Sequence, residues 1–336
     1  MKNPKILEEI SLNRKNDLVN PLVSICCVTY NQCAYISQTL DGILMQKTNF
    51  SYEICLGEDG SMDGTKEICQ KYAEKNSDRI RLFERSRKDV IFINNKPTGK
   101  FNFYETLKES KGKYIAVCEG DDYWTDPYKL QKQIDFLEGN NEYDMVHTNF
   151  STLKNGIIKN RPDKVSSIKD VKNQLLIKNF IGTLTICVKK NVLLDACANI
   201  SSNYLSVDLA IAMQISQKSK IGYLKDNTAV YRISNNTASN STSAYDQLFF
   251  IRTAFQMKND FINKYQYSQT AINKLNHRWC RVLFKYYIKL GDSAIKFELN
   301  KFIQDRKKKS LWIYKFILLI SRLDLTRKML KKLWSN

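Results

Sequence analysis

Three polar clusters in this chain could do chemistry together. Thr29-Tyr30-Asn31 closes one apolar run. Gly57-Glu58-Asp59-Gly60-Ser61-Met62-Asp63-Gly64-Thr65 follows a second, and Glu119-Gly120-Asp121-Asp122-Tyr123-Trp124 a third. Adjacent carboxylates such as Asp121 and Asp122 make a hard oxygen site suited to Mg2+ or Mn2+. A cation there neutralises charge on a leaving diphosphate as a bond breaks. An aromatic such as Tyr30 can stack on a nucleobase, and a carboxylate such as Asp59 can accept hydrogen bonds from base or ribose. Each cluster taken alone has a plainer reading: Asp-Gly strings are common turns, an acidic pair is usually solvated, and a tyrosine usually packs. Their conjunction, in this order and at the ends of apolar runs, points to a site for a nucleoside diphosphate.

The elements that must position them alternate. Residues 23–28, 52–56, 80–83 and 114–118 read as buried strands, and 34–46, 65–74 and 101–109 as helices. Tyr35, Ile36, Leu40, Ile43 and Leu44 recur at helical period within the first of these helices. Strand and helix alternating at this spacing predict an α/β fold with a mostly parallel sheet covered on both faces. Ligands of such sheets bind at the carboxyl ends of the strands, so the three clusters are expected on one edge. A further helix is predicted over 127–138, with Asp126 at its N-cap and Pro127 at its first position. Strand-like runs follow near 144–149, 184–188 and 228–233, helices near 168–178 and 207–217, and a helical pattern from about 242 to the end.

Composition narrows the class. The chain has 336 residues, 43% of them hydrophobic, enough for one large domain with a smaller addition. Its nine cysteines form no C-x-x-C pair and several lie in apolar runs, which predicts reduced thiols in a cytosolic setting. With only His147 and His277, a histidine-rich zinc site is not expected. The charged start lacks the apolar core of a signal peptide, and no run approaches the roughly 20 apolar residues needed to cross a bilayer. The net charge is +19, and residues 301–336 hold 11 Lys and Arg against 2 Asp. Such an excess suits a polyanionic partner.

At the residues VSICCVTYN, LDGILMQ, YEICLGEDGSMDGT and GKYIAVCEGDDYW the chain resembles the inverting nucleotide-sugar glycosyltransferases of family 2. The resemblance is strong over residues 20–140 and weaker to about 235. EGDDYW followed by DPYKLQKQIDFLE is similar to bacterial enzymes that build surface polysaccharides such as capsule, O-antigen or exopolysaccharide. The resemblance implies a GT-A fold over residues 21–238, after a charged lead of 1–20 and before a helical, basic region of 239–336. It implies that Thr29 and Tyr30 hold the base of a nucleotide-sugar, UDP by family habit, with Asn31 also on the donor, Asp59 on uracil or ribose and Glu58 beside it. Asn102 matches a polar position near the donor, Asp121 faces ribose or sugar, and Asp122 ligates Mn2+ or Mg2+. Glu58 stands where many members have Asp, and Gly120 makes the stretch x-D-D rather than D-x-D.

Inversion needs one base on the acceptor side, to take the proton from the attacking hydroxyl. Ser206-Val207-Asp208-Leu209 resembles the family's base region and makes Asp208 the candidate. A first-turn carboxylate stabilised by the helix dipole is the plainer reading, and Asp195 is the rival. Thr183, in Phe180-Ile181-Gly182-Thr183-Leu184-Thr185, and Trp124 are expected on the acceptor side. Tyr231-Arg232-Ile233-Ser234 resembles a Y-R-x-H motif, so Arg232 is expected near the diphosphate, although Ser234 replaces the histidine. Two basic loops, Arg85-Ser86-Arg87-Lys88 and Lys111-Gly112-Lys113, are solvated turns or diphosphate contacts.

Trp312, Phe316, Leu319, Leu323, Leu330 and Trp334 recur at helical spacing among Lys308, Lys315, Arg322, Lys328 and Lys332. This basic amphipathic pattern suits a membrane surface, and equally a helix packed on its own protein. The enzyme is therefore expected on the cytoplasmic membrane face, with a glycan or lipid-linked glycan as acceptor. The alternative is a non-catalytic nucleotide-sugar or glycan-binding module. Charge alone suggests nucleic acid, but no nucleic-acid fold signature accompanies it. No G-x-G-x-x-G follows the first strand, which argues against a dinucleotide oxidoreductase.

Overall fold

The strands that carry the clusters are buried because they are apolar on both faces. β1 (Val23–Thr29) and β2 (Tyr52–Glu58) are buried almost throughout, as are β6 (Tyr114–Val117) and much of β8 (Tyr143–Lys154). The computed structural model describes residues 20–234, 241 and 243–306. β1 pairs in parallel with β2 and with β6, and β2 pairs in parallel with β3 (Ile80–Glu84). The main sheet runs in the order β3-β2-β1-β6-β10-β8-β11-β7, with β9 (Ile157–Asn160) added to β8. Here β7 is Tyr123–Trp124, β10 is Cys187–Lys189 and β11 is Lys220–Arg232. A separate pair, β4 (Phe92–Ile93) and β5 (Lys96–Pro97), forms a small hairpin.

Only half of the sheet is parallel. β10 runs antiparallel to both β6 and β8, β7 antiparallel to β11, and β9 antiparallel to β8. The connections explain this. A parallel pair needs a crossover of a dozen or more residues. β8 and β9 are joined through Asn155 and Gly156, both at positive φ (51° and 76°), which is hairpin geometry. β8 and β11, joined by a long crossover, are parallel.

Helices α1 (Ile36–Leu44), α2 (Thr65–Lys75), α3 (Lys100–Glu109) and α4 (Lys129–Gly139) follow the strands and pack on β7, β3, β1 with β2, and β8 respectively. The core joins Ile25, Ile54, Leu56 and Ala116 to Ile36, Leu40, Leu130 and Ile134. α5 (Val171–Ile177), α6 (Lys190–Ala198) and α7 (Val207–Ile215) complete the helices before β11. All nine cysteines are free, and seven of them are buried.

The chain divides into two compact units. The first takes the described residues up to Val171 together with Phe180–Ser234. The second takes Lys172–Asn179 and the described residues from 241 onward, so eight residues inside the expected catalytic segment belong with the helical part. There the Ile177 carbonyl accepts from Lys258 Nζ at 3.3 Å, and Asn173 Oδ1 from the Ser268 amide at 2.9 Å. The helical unit comprises α8 (Ala244–Lys264), α9 (Gln269–Leu290) and α10 (Ser293–Arg306). Its own core gathers Leu248, Trp279, Leu283, Phe284, Leu299 and Ile303. Ser243 and Ser268 cap α8 and α9 through their hydroxyls. No helix among the described residues is long and apolar enough to cross a membrane. The basic amphipathic stretch 310–334 and the lead 1–19 lie outside the described residues.

Candidate active site

Parallel pairing decides which loops meet. β1, β2, β3 and β6 point the same way, and Thr29 lies beside Glu58, which lies beside Glu84. The segments after these strands (30–33, 59–64, 85–88 and 119–122) therefore emerge from one edge. The same topology separates the two basic loops. Arg85–Lys88 leaves the carboxyl end of β3 and so reaches this edge. Lys113 enters β6 at its amino end, on the opposite edge, where it pairs with Glu138 at 2.8 Å.

At one end of the rim, Tyr30 is 41% exposed and the Arg87 guanidinium lies 4.0 Å over its ring. The same guanidinium is ion-paired with Asp59 Oδ2. Asp59 Oδ1 is buried without a partner. Burial raises the Asp59 pKa, while Arg87 pulls it down. Three expected donor contacts are instead committed to shaping this end. Glu58, fully buried, accepts from the Gly60 and Ser61 amides at 3.1 and 2.7 Å. Asn31 adopts φ 50°, donates its amide to Ser61 Oγ and accepts from the Met62 amide at 3.0 Å. Asn102, 2% exposed, donates to the Gly57 carbonyl at 2.8 Å and accepts from Arg85 Nε at 3.0 Å.

The other end is acidic. Gly120 packs so closely that a Cβ there would fall 2.4 Å from Gln32 Oε1 and 2.7 Å from Thr29, which accounts for glycine in the x-D-D stretch. Thr29 Oγ1 donates to Gln32 Oε1 at 2.7 Å, and the Gln32 side chain in turn hydrogen-bonds Asp121. The Thr39 hydroxyl, from α1, reaches the carbonyls of Gly120 and Asp122. Asp122 is 1% exposed; its Oδ1 accepts the Arg232 amide at 2.8 Å and its Oδ2 is buried without a partner. Burial first, then the charges of Asp121 and Glu119, push the Asp122 pKa well up. Burial and the charges of Asp121 and Asp208 push Glu119 up to about 8. Burial also raises Asp121, against the pull of Arg232.

These carboxylates fit a hard divalent cation. Asp122 offers a buried oxygen without a partner among the described residues, and the carboxyls of Asp121 and Glu119 lie close enough to act on it. No group of three or more His, Cys, Asp or Glu is arranged around one point among the described residues. The protein's share of such a site is thus one or two carboxylates, with positions left for diphosphate oxygens and water.

Asp208 lies exposed in the first turn of α7, two residues past the Ser206 cap position. Its charge is felt by Glu119, which brings it near the acidic end. The rival, Asp195, is exposed in α6 and paired with Lys218 at 2.8 Å, an ordinary surface ion pair. The Arg232 guanidinium lies over Tyr35 and Tyr123 (4.9 and 4.7 Å), bonds Gln38, and carries a buried Nε without a partner. Trp124 departs from its expected place on the acceptor side. It is 1% exposed, donates its indole N–H to the Leu184 carbonyl at 2.8 Å and has Lys129 Nζ 4.1 Å over its ring. It is a core group that holds β7. Thr183 lies half-buried in the short turn Thr183–Thr185 beside it. Arg87 and Gln32 were not singled out from sequence. Arg87 sat unresolved in a basic loop, and the signal that finds it is its place after β3.

Comparison with known proteins places this rim in a family. The chain matches the model of glycosyl transferase family 2 over residues 24–198, more than half its length. An uncharacterized protein of Mycobacterium tuberculosis is 31% identical over 62% of this chain, and the match spans only 58% of that relative's length. The putative teichuronic acid biosynthesis glycosyltransferase TuaG of Bacillus subtilis is 26% identical, over 69% of this chain and 87% of TuaG. Among solved structures, the mannosyltransferase PcManGT from Pyrobaculum calidifontis, in complex with GDP-Man and Mn2+, gives a TM-score of 0.54 at 14% identity, over 98% of this chain and 95% of that one. S. aureus TarS 1-349 in complex with UDP-GlcNAc gives 0.51 at 15% identity, over 81% and 82%. At those identities the two structures speak for the GT-A fold alone. The match takes in the rim from Ser24 to Asp122 and covers more than half of the chain, so the chain belongs to glycosyl transferase family 2.

Proposed function

We propose that the protein transfers a sugar from a nucleotide-sugar to an acceptor hydroxyl with inversion at the anomeric carbon. The observation that carries this reading is the shared rim: a nucleoside platform (Tyr30, Arg87, Asp59) beside a buried acid with an orphaned oxygen (Asp122). Tyr30 stacks on the base, and Asp59 accepts from base or ribose. Thr29 and Gln32 hold Asp121 toward the ribose or sugar. Asp122 would hold Mn2+ or Mg2+, which would supply charge neutralisation to the departing diphosphate. Asp208 takes the proton of the attacking hydroxyl. The acceptor hydroxyl oxygen forms the new bond to the anomeric carbon while the bond from that carbon to the phosphate oxygen breaks, and that electron pair leaves with the diphosphate. Arg232, cationic and next to Asp122, steadies the diphosphate.

UDP is the nucleotide proposed, with a hexosyl or N-acetylhexosaminyl group and a glycan or lipid-linked glycan acceptor in surface-polysaccharide synthesis. The likeness to TuaG, a putative polymer-building enzyme, supports that setting. The net charge of +19 supports a peripheral position on the cytoplasmic membrane face, with residues 310–334 as the contact. The test is a screen of UDP-, GDP- and dTDP-sugars with Mn2+, read as donor hydrolysis and transfer, with the product anomer assigned by NMR. At least one donor should turn over with an inverted product. Donor binding without hydrolysis or transfer would leave only a nucleotide-sugar-binding module.

A further inference from the structure

Arg161 follows β9 and lies in the same unit as the rim. Its guanidinium sits 3.9 Å over the Phe150 ring, half-buried, and makes no ion pair among the described residues. The nearest acid in sequence is committed elsewhere: Asp163 takes the Tyr223 hydroxyl at 3.1 Å, the amides of Val165 and Ser166, and the Ser166 hydroxyl. Burial lowers the Arg161 pKa, so the fold bears the cost of holding this charge. A half-buried guanidinium with no ion pair among the described residues keeps its N–H donors available to an anion.

The platform around it is built. The Arg161 carbonyl is held by Asn149 Nδ2 at 3.2 Å, and the preceding Asn160 by Ser151 Oγ at 2.7 Å. Phe150 packs closely on Gly182, where an added Cβ would lie 2.7 Å from its ring. The ring meets Tyr231 edge-on at 6.2 Å, and the next residue, Arg232, donates its amide to Asp122. Thr183 adjoins Gly182. The cation is thus linked to the acidic end through Phe150, Tyr231 and the adjoining Arg232, whose amide bonds Asp122.

We propose that Arg161, laid flat on Phe150, is the subsite for an oxyanion of the acceptor, a phosphate or a carboxylate next to the sugar that receives the new bond. A planar guanidinium accepts such a group through two parallel N–H donors. The inference rests on the transferase reading for the word acceptor. The shared chemistry has two sources, the diphosphate of a lipid-linked glycan and the carboxylate of an acidic sugar, and one experiment separates them.

The full chain, with UDP and Mn2+ filling the donor side, is titrated with farnesyl diphosphate against farnesol, and with methyl glucuronide against methyl glucoside. At least one anion should bind about tenfold more tightly than its uncharged counterpart, the scale of one charge-assisted hydrogen bond. Arg161→Gln should erase that margin and Arg161→Lys should keep part of it. A diphosphate margin assigns a lipid-linked acceptor, and a carboxylate margin an acidic glycan. No margin for either anion, or a margin that survives Arg161→Gln, overturns the subsite. Tm recorded on the same samples shows that the variants are folded. Because binding is read without turnover, a protein that transfers sugar but shows no margin sinks this inference alone. One that shows the margin but turns over no donor sinks the transferase reading alone.

Discussion

The two ends of the nucleotide rim solve opposite electrostatic problems. At the Tyr30 end the buried carboxylate of Asp59 has its own cation, Arg87, which also covers the tyrosine ring. At the other end Glu119, Asp121 and Asp122 crowd together, eased only by one backbone amide, one glutamine and the pull of Arg232. Burial raises the pKa at both ends, but only at the Tyr30 end is the acid ion-paired among the described residues. There the fold supplies the counter-charge and leaves Asp59 Oδ1 as a single open acceptor. At the acidic end ionisation is costly until a cation arrives, which is the state expected of a site that takes one.

The largest effect should come from the acidic end. Asp122→Asn keeps an acceptor for the Arg232 amide but removes the charge. Transfer should fall by about a thousandfold or more, while Tm stays level or rises because a buried carboxyl crowded by Asp121 and Glu119 is replaced by a neutral amide. Full turnover with every donor tried would erase the distinction between the ends. Asp208→Asn comes next: kcat should drop about a hundredfold or more with donor affinity retained, as for a lost general base. If kcat is unmoved, Asp208 is a first-turn acid and no more.

The Tyr30 end should respond in stability. Arg87→Met strands the buried Asp59 carboxylate and should cost about 2 kcal/mol in urea unfolding. Adding Asp59→Asn should recover part of that loss, a coupling that a double-mutant cycle measures. Additive losses would mean the pair contributes nothing as a pair. The smallest effect is one of pH. Glu119 shifts from an ordinary 4.5 up to about 8 in the fold. Between those values the folded state holds a proton that the unfolded chain has released, so metal-free stability should decline as pH rises from about 4.5 toward 8 and then level. Mn2+ binds the ionised carboxylates and should raise Tm more at pH 8 than at pH 6. A Tm indifferent to Mn2+ at both pH values would count against the cation.

Much of the rim was legible beforehand because its parts are local. The β-strand runs, the Gly57–Thr65 loop and the Glu119–Trp124 loop are each contiguous, and period and turn chemistry report on neighbours in sequence. Trp124 misled because an aromatic beside two aspartates looks like a ligand surface, whereas its indole closes a hydrogen bond to Leu184, sixty residues away. Glu58 and Asn102 matched polar family positions, yet their side chains are used up by nearby loop amides, Gly57 and Arg85. The antiparallel half of the sheet was missed because the pairing partners of a short strand such as Cys187–Lys189 are not written in its own residues. Residues 172–179 look like one more helix of the first unit, but they pack with the second and bond Lys258 and Ser268 there.

The amino-acid sequence by itself determined the alternation of strand and helix, the three polar loops and the identity of the acids they carry, because burial and backbone preference act over a few neighbouring residues. The tertiary structure alone decided that Arg87 and Lys113, alike as residues, stand on opposite edges. It likewise decided that, among the described residues, Asp122 keeps an oxygen without a partner and Arg161 makes no ion pair. Coulomb energy and desolvation depend on distances between segments far apart in the chain, and those distances exist only once the sheet has formed.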